Sequence, residues 1–204
     1  MKIAIIDYGM GNIHSVSKAI ELCGAKPVVT NKKSQLSSCA KIVLPGVGAF
    51  DDAMAELEKL GLVPVIKEQI KNKKPFLGIC LGMQLLFETS QEAKNKTGLG
   101  VLKGQVVKFS AKPGQKIPHM GWNNLVDVSG GCPLLRGVNA SEQVYFCHSY
   151  YPEPLDKDVI AANCNYGVKF ACALARENIY GVQFHPEKSQ AVGLKIIRNF
   201  VELC

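Results

Sequence analysis

Between residues 2 and 87 short apolar runs alternate with segments of helical spacing, and this alternation restricts the fold more than any other feature of the chain. "KIAIID" (2–7), "PVVT" (27–30), "KIVLP" (41–45) and "PFLGIC" (75–80) are compact runs of the kind found in strands buried on both faces. "NIHSVSKAIELCG" places Ile13, Val16, Ile20 and Cys23 on one helical face, with Asn12 expected to cap its start and Gly24 to stop it. "DDAMAELEKLG" (51–61), "VPVIKEQIKN" (63–72) and "LGMQLLFET" (81–89) read as further helices. Strands separated by helices imply parallel β-α-β units with right-handed crossovers.

The second half changes character. "VLKGQVVKFS", "NNLVDVS", "VYFCHSYY", "VIAANCNY", "FACALAREN" and "IYGVQFHPE" are strand-like runs parted by Gly, Pro and Asn, which suggests a mixed or antiparallel extension of the sheet. "SQAVGLKIIRNFVELC" (189–204) is a closing helix with Ser189 as its expected cap. The expected architecture is a single α/β domain over 1–204, with a mostly parallel central sheet flanked by helices.

At 47% hydrophobic and 20% charged residues, the balance is that of a soluble globular chain. No apolar stretch approaches the roughly 18 residues of a membrane span, and the start does not read as a signal peptide. The expectation is a cytoplasmic protein without a membrane role. The net charge of +7 comes from lysines in "NKK", "IKNKK", "AKNK" and "AKPGQK". They lack interleaved aromatics and a nucleic-acid motif, so no nucleic acid is expected; attraction of an anionic substrate or acidic partner remains open. The eight cysteines include no C-x-x-C pair, which disfavours zinc-ribbon and thioredoxin readings. Most are expected to be reduced core residues.

Cys80 is the exception. It ends a strand, lies between Gly78 and Gly82, and runs directly into a helical segment. A tight strand-to-helix turn pushes its central side chain out of the sheet, as in G-x-S-x-G hydrolases, and a helix start favours thiolate. The Leu81 amide there is a candidate oxyanion donor. A second glycine turn, "PGVG" (45–48), ends the third strand, and the Val47 amide is a candidate second donor. A nucleophilic cysteine needs a histidine base oriented by a carboxylate. Of four histidines, His185 sits in H-P-E, where Pro186 fixes the backbone so that His185 and Glu187 face one site. If the strand at 180–184 lies beside that at 75–79, His185 meets Cys80. His14 reads as a surface or packing residue, whereas His119 and His148 remain possible site residues.

In order, "PGVGAF" (45–50), "GICLGMQLLFE" (78–88) and "GVQFHPEKS" (181–189) resemble the class I (triad) glutamine amidotransferases over essentially the whole chain. "DYGMGN" (7–12) and "PHMGWN" (118–123) narrow the resemblance to members serving histidine biosynthesis. The resemblance implies that Cys80, His185 and Glu187 hydrolyse glutamine and that the ammonia passes to a partner cyclase, a (β/α)8 barrel. It implies Gly48, Gln84, Glu92, Ser149 and Tyr150 as glutamine-binding residues. Asn12, Trp122 and Lys188 fall at the partner interface, and neither cofactor nor metal is implied. Amidotransferase subunits of other synthases, such as those of sugar-acid pathways, share the triad. A stand-alone thiol hydrolase or a non-catalytic binding protein with a flavodoxin-like sheet would share the scaffold.

Overall fold

The computed structural model describes residues 1–110 and 114–204; part of the basic stretch "AKPGQK" lies outside them. In chain order the first half comprises β1 (Lys2–Ile6), α1 (Ile13–Leu22), β2 (Lys26–Thr30), α2 (Lys33–Ser38), β3 (Lys41–Gly46), α3 (Phe50–Lys59), α4 (Leu62–Lys71), β4 (Phe76–Cys80) and α5 (Leu81–Gln84). The second half comprises β5 (Thr89–Ser90), β6 (Gly104–Lys108), β7 (His119–Val126), β8 (Gln143–His148), β9 (Tyr150–Pro154), β10 (Ile160–Asn165), β11 (Lys169–Arg176), β12 (Ile179–Val182) and α6 (Gln190–Leu203).

Nine strands form one sheet in the order β2-β1-β3-β4-β12-β11-β10-β7-β8, and β5-β6-β9 form a smaller one. The pairs from β2 through β12 are parallel; those from β12 through β8 are antiparallel. The mostly parallel first half and the mixed extension therefore both match the sequence expectation. β1 shows why such strands are continuous apolar runs. Ile3 and Ile5 face one hydrophobic layer with Val16, Ile196 and Phe200, while Ala4 and Ile6 face the other with Leu44, Phe50 and Met83. Both faces are covered, so successive residues alternate between two cores rather than between core and solvent.

Several elements depart from their sequence reading. The helix expected over 81–89 stops at Gln84. Leu85, Leu86 and Phe87 are all fully buried, and three consecutive core residues cannot share one face of a helix. The chain instead tightens into turns, with the Leu86 and Phe87 amides donating to the Met83 and Gln84 carbonyls. α2 was not legible, because only Leu36 of its six residues is buried. "VYFCHSYY" is not one strand: it divides at Ser149 between β8 of the large sheet and β9 of the small one. β7 begins at His119, so most of "PHMGWN" lies on a strand. β12 ends at Val182 rather than at Phe184.

The turn after β4 is packed with no room to spare. A Cβ on Gly82 would lie 1.9 Å from the Leu44 carbonyl oxygen, and one on Gly78 would lie 2.5 Å from the Gly82 oxygen. The glycines let α5 press against β3 and β4. Gly82→Ala must push two backbones apart, and it is expected to destabilise the fold by about 3 kcal/mol in urea denaturation.

Candidate active site

β3, β4 and β12 run parallel and end side by side, with Gly46 opposite Cys80 and Val182 opposite Ile79. This is the carboxyl edge, where open α/β sheets hold ligands. At that edge Cys80 has φ 54° and ψ −110°, a left-handed-side conformation rare for a residue with a Cβ. The strain turns the chain from β4 into α5 and aims the thiol into the cleft. Leu81 opens α5, so its N–H belongs to the first turn, where no helical carbonyl precedes it.

Beyond β12 the chain continues through buried Gln183 and Phe184 to His185, which lines the same cleft as Cys80 and interacts with it electrostatically. His185 Nδ1 lies 2.9 Å from Glu187 Oε1. The Glu187 side chain is fully buried and also accepts from Asn12 Nδ2 at 3.2 Å. Pro186–Lys188 form a single 3-10 turn that places residues 185 and 187 on the same side, as H-P-E suggested. Two expected helix caps serve this site instead. Asn12 makes no side-chain cap bond to α1 because its amide faces Glu187. Ser189 makes none to α6; its Oγ donates to the His185 carbonyl at 2.6 Å and accepts from the Tyr145 amide at 3.0 Å.

Burial alone would push His185 down. Its hydrogen bonds and charge interactions with Cys80 and Glu187 outweigh that, and hold it up at about 10. The ring is thus an imidazolium at neutral pH, beside the sulfur on one side and a buried carboxylate on the other. Burial drives other thiols in the opposite sense from reactivity: Cys164 rises to about 12 and Cys204 to about 11.

The thiol opens on a cavity of about 290 Å³ lined by Val47, Gly48, Cys80, Leu81, Gln84, Glu92, Pro118, Cys147, His148, Ser149, Tyr150, His185 and Lys188. Ten of the thirteen site residues expected from sequence meet in this one cleft. Of the rest, Glu187 stands behind His185 and Asn12 behind Glu187. Trp122 lies outside, 44% exposed, and meets the Tyr145 ring edge-on at 6.0 Å. Lys188 spans from the cleft to that aromatic pair, with its ammonium 5.8 Å from the Tyr145 centroid. Gln84, one turn into α5, donates to the Tyr150 carbonyl at 2.9 Å. Glu92 accepts from the Phe50 amide at 3.0 Å; burial raises its pKa, the Phe50 bond lowers it, and Asp51 and Asp52 raise it further. Gly48 has φ +105°, so the turn over the cleft uses a conformation open to glycine.

Sequence reasoning passed over Gln183 and Cys147 and left His148 open. Gln183 carries a detectable signal: it is a lone amide in the apolar run "IYGVQF", two residues before His185 and so on the same side of an extended chain. His14 is exposed, as expected.

The family model described as glutamine amidotransferase class-I matches residues 4–204. This chain belongs to the class-I glutamine amidotransferases. It is 50% identical over 202 residues to the imidazole glycerol phosphate synthase subunit HisH of Thermosynechococcus vestitus, covering 98% of this chain and 96% of that one. It is 51% identical over 205 residues to subunit HisH 1 of Methanococcus maripaludis, at 98% and 99% coverage. Among solved structures, PurLQS from Thermotoga maritima superposes with a TM-score of 0.78 at 19% identity, covering 98% and 97% of the two chains. The crystal structure of a glutamine amidotransferase gives 0.76 at 17% identity, with 98% and 97% of the two chains covered. These two likenesses concern the fold.

Two outcomes are expected of this amidotransferase. Cys80→Gly abolishes activity yet is more stable than Cys80→Ala by about 1 kcal/mol in urea, because glycine relieves the positive φ. The pKa of His185 is raised on folding, so the stability it contributes is complete below its ordinary value of 6.5 and is lost as pH rises through about 10. The difference in urea midpoint between the parent protein and His185→Asn is therefore expected to narrow steadily between pH 6.5 and 10.

Proposed function

We propose that this chain is the glutaminase subunit of an imidazole glycerol phosphate synthase, acting as one amidotransferase domain over 1–204 in the cytoplasm. The observation that carries the reading is the meeting of Cys80 and His185 on one cleft, with Glu187 bonded behind His185, in a chain about 50% identical to HisH subunits. The Cys80 thiolate attacks the carboxamide carbon of glutamine. The His185 imidazolium gives its proton to the departing ammonia, and the neutral ring then takes a proton from the water that hydrolyses the thioester to glutamate. Glu187 holds the ring and stabilises its cation, and Asn12 steadies that carboxylate. The Leu81 amide, with that of Val47, receives the oxyanion. Glu92 offers a counter-charge to the substrate ammonium, while Gly48, Gln84, Ser149 and Tyr150 shape the rest of the glutamine site.

The ammonia passes to a cyclase subunit, the (β/α)8 barrel HisF, in a heterodimer. There it combines with the nucleotide PRFAR to give imidazole glycerol phosphate and AICAR. The exposed side chains of Val47, Met120 and Trp122, with Lys188 at the cleft, support a partner face around the mouth of the site. Among the described residues, no helix is long and apolar enough to cross a membrane.

Glutamate release from glutamine tests the reading in three mixtures: the chain alone, with HisF, and with HisF plus PRFAR or its product. The expected result is a rise of at least about tenfold in the third mixture over the other two, absent in Cys80→Ala. Full activity in the chain alone points to an independent thiol hydrolase. Silence in all three points to the amidotransferase subunit of another synthase.

A further inference from the structure

The sulfur of Cys80 has a neighbour besides His185. Gln183 is fully buried, and its Nε2 lies 3.7 Å from Cys80 Sγ. Its carboxamide could in principle present either end to the sulfur, but the surrounding bonds leave one choice. The Tyr150 carbonyl can only accept, so the Gln84 atom 2.9 Å from it is the NH2 group. That same NH2 lies 3.1 Å from the other end of the Gln183 amide, which must therefore be the carbonyl oxygen. Gln183 is left with its N–H toward the sulfur.

The Tyr150 carbonyl is anchored from a second side. His148 Nδ1 donates to it at 2.8 Å, which leaves Nε2 of the neutral ring as an acceptor. His119 Nδ1 donates to that atom at 3.1 Å, and Asn123 Nδ2 donates to His119 Nε2 at 3.2 Å. Burial holds His148 at about 3 and His119 at about 4, so both rings stay neutral and keep these tautomers at neutral pH. Every donor in the series therefore points the same way, from Asn123 on β7 to the shared carbonyl. From the other side, Gln84 ties the carbonyl to Gln183.

We propose that the Gln183 amide is a second, uncharged donor to the Cys80 thiolate, oriented by Gln84 through the Tyr150 carbonyl, with His148 and His119 as positioning residues for that carbonyl. The proposal rests on the reading of Cys80 as the nucleophile. A neutral donor suits this place. It stabilises thiolate without offering a proton that the reaction could consume, so His185 remains the proton donor to ammonia. It also restrains the sulfur, through a side chain that is fully buried behind the cleft lining.

The test compares Gln183→Met, which keeps the shape without the donor, with Gln183→Glu, which keeps the shape and turns an acceptor toward the sulfur. The isolated chain is alkylated with iodoacetamide from pH 5 to 10, the Cys80 peptide is quantified by mass spectrometry, and folding is checked by near-UV circular dichroism. The pH of half-maximal Cys80 alkylation is expected to rise in both variants, and further in Gln183→Glu than in Gln183→Met. In the HisF complex with PRFAR, kcat is expected to fall about tenfold in Gln183→Met and more in Gln183→Glu, with KM for glutamine unchanged within about twofold. A space-filling role would lower stability in both variants without ordering their alkylation curves. Curves coincident with the parent in either folded variant, or a loss confined to KM, overturn the proposal. The alkylation arm needs neither partner nor turnover, so it judges the amide donor separately from the synthase assignment.

Discussion

The parallel pairing of β12 with β4 is the contact on which the site depends. It joins segments roughly a hundred residues apart and sets their register, with Val182 opposite Ile79, so that the two chains leave the sheet together. One exit carries Cys80 and the other His185. The pairing also marks where the sheet changes from parallel to antiparallel, since β12 faces β4 on one side and β11 on the other. A strand that is parallel to one neighbour and antiparallel to the next lets the chain's last segment lie beside its first half without another crossover helix.

The strain at Cys80 is affordable because its surroundings determine it fully. Gly78 and Gly82 admit the close approach of α5 to β3 and β4, and Ile79 and Leu81 anchor the turn in the core on either side. A conformation that costs about 1–3 kcal/mol is thus held by packing, and the thiol is displayed without freedom to retreat.

Three buried histidines lie at this cleft or directly behind it, and they carry different protonation. His185 bonds a buried carboxylate and shares the cleft with the thiol, and both interactions favour its charged form. His148 and His119 touch a carbonyl, an amide and each other, with His119 stacked on Phe146 and Tyr166, so burial keeps them neutral. Identical side chains at similar depth divide into an acid and a pair of fixed hydrogen-bond links according to whether a counter-charge is within reach.

Local pattern was sufficient for much of this. The βα alternation gave the parallel half, because burial on both faces writes itself as continuous apolar runs. The G-x-C-x-G and H-P-E stretches pointed to the proposed nucleophile and its proposed base, because each depends on geometry within a few residues. Short or irregular elements were not legible: α2 buries too little to show a period, and Leu85–Phe87 look helical until three adjacent side chains all prove to be core. Asn12 and Ser189 had the chemistry of caps, and nothing nearby in sequence showed that Glu187, 175 positions from Asn12, would claim its amide instead. The direction of Gln183 likewise follows from Gln84 and the Tyr150 carbonyl, which only the folded chain brings together. Residue order along the chain decides which groups have the chemistry to react or to cap. Contacts between distant segments decide which partner each group takes, because a hydrogen bond is selected by distance and angle in the packed interior, where the nearest acceptor is rarely the nearest in sequence.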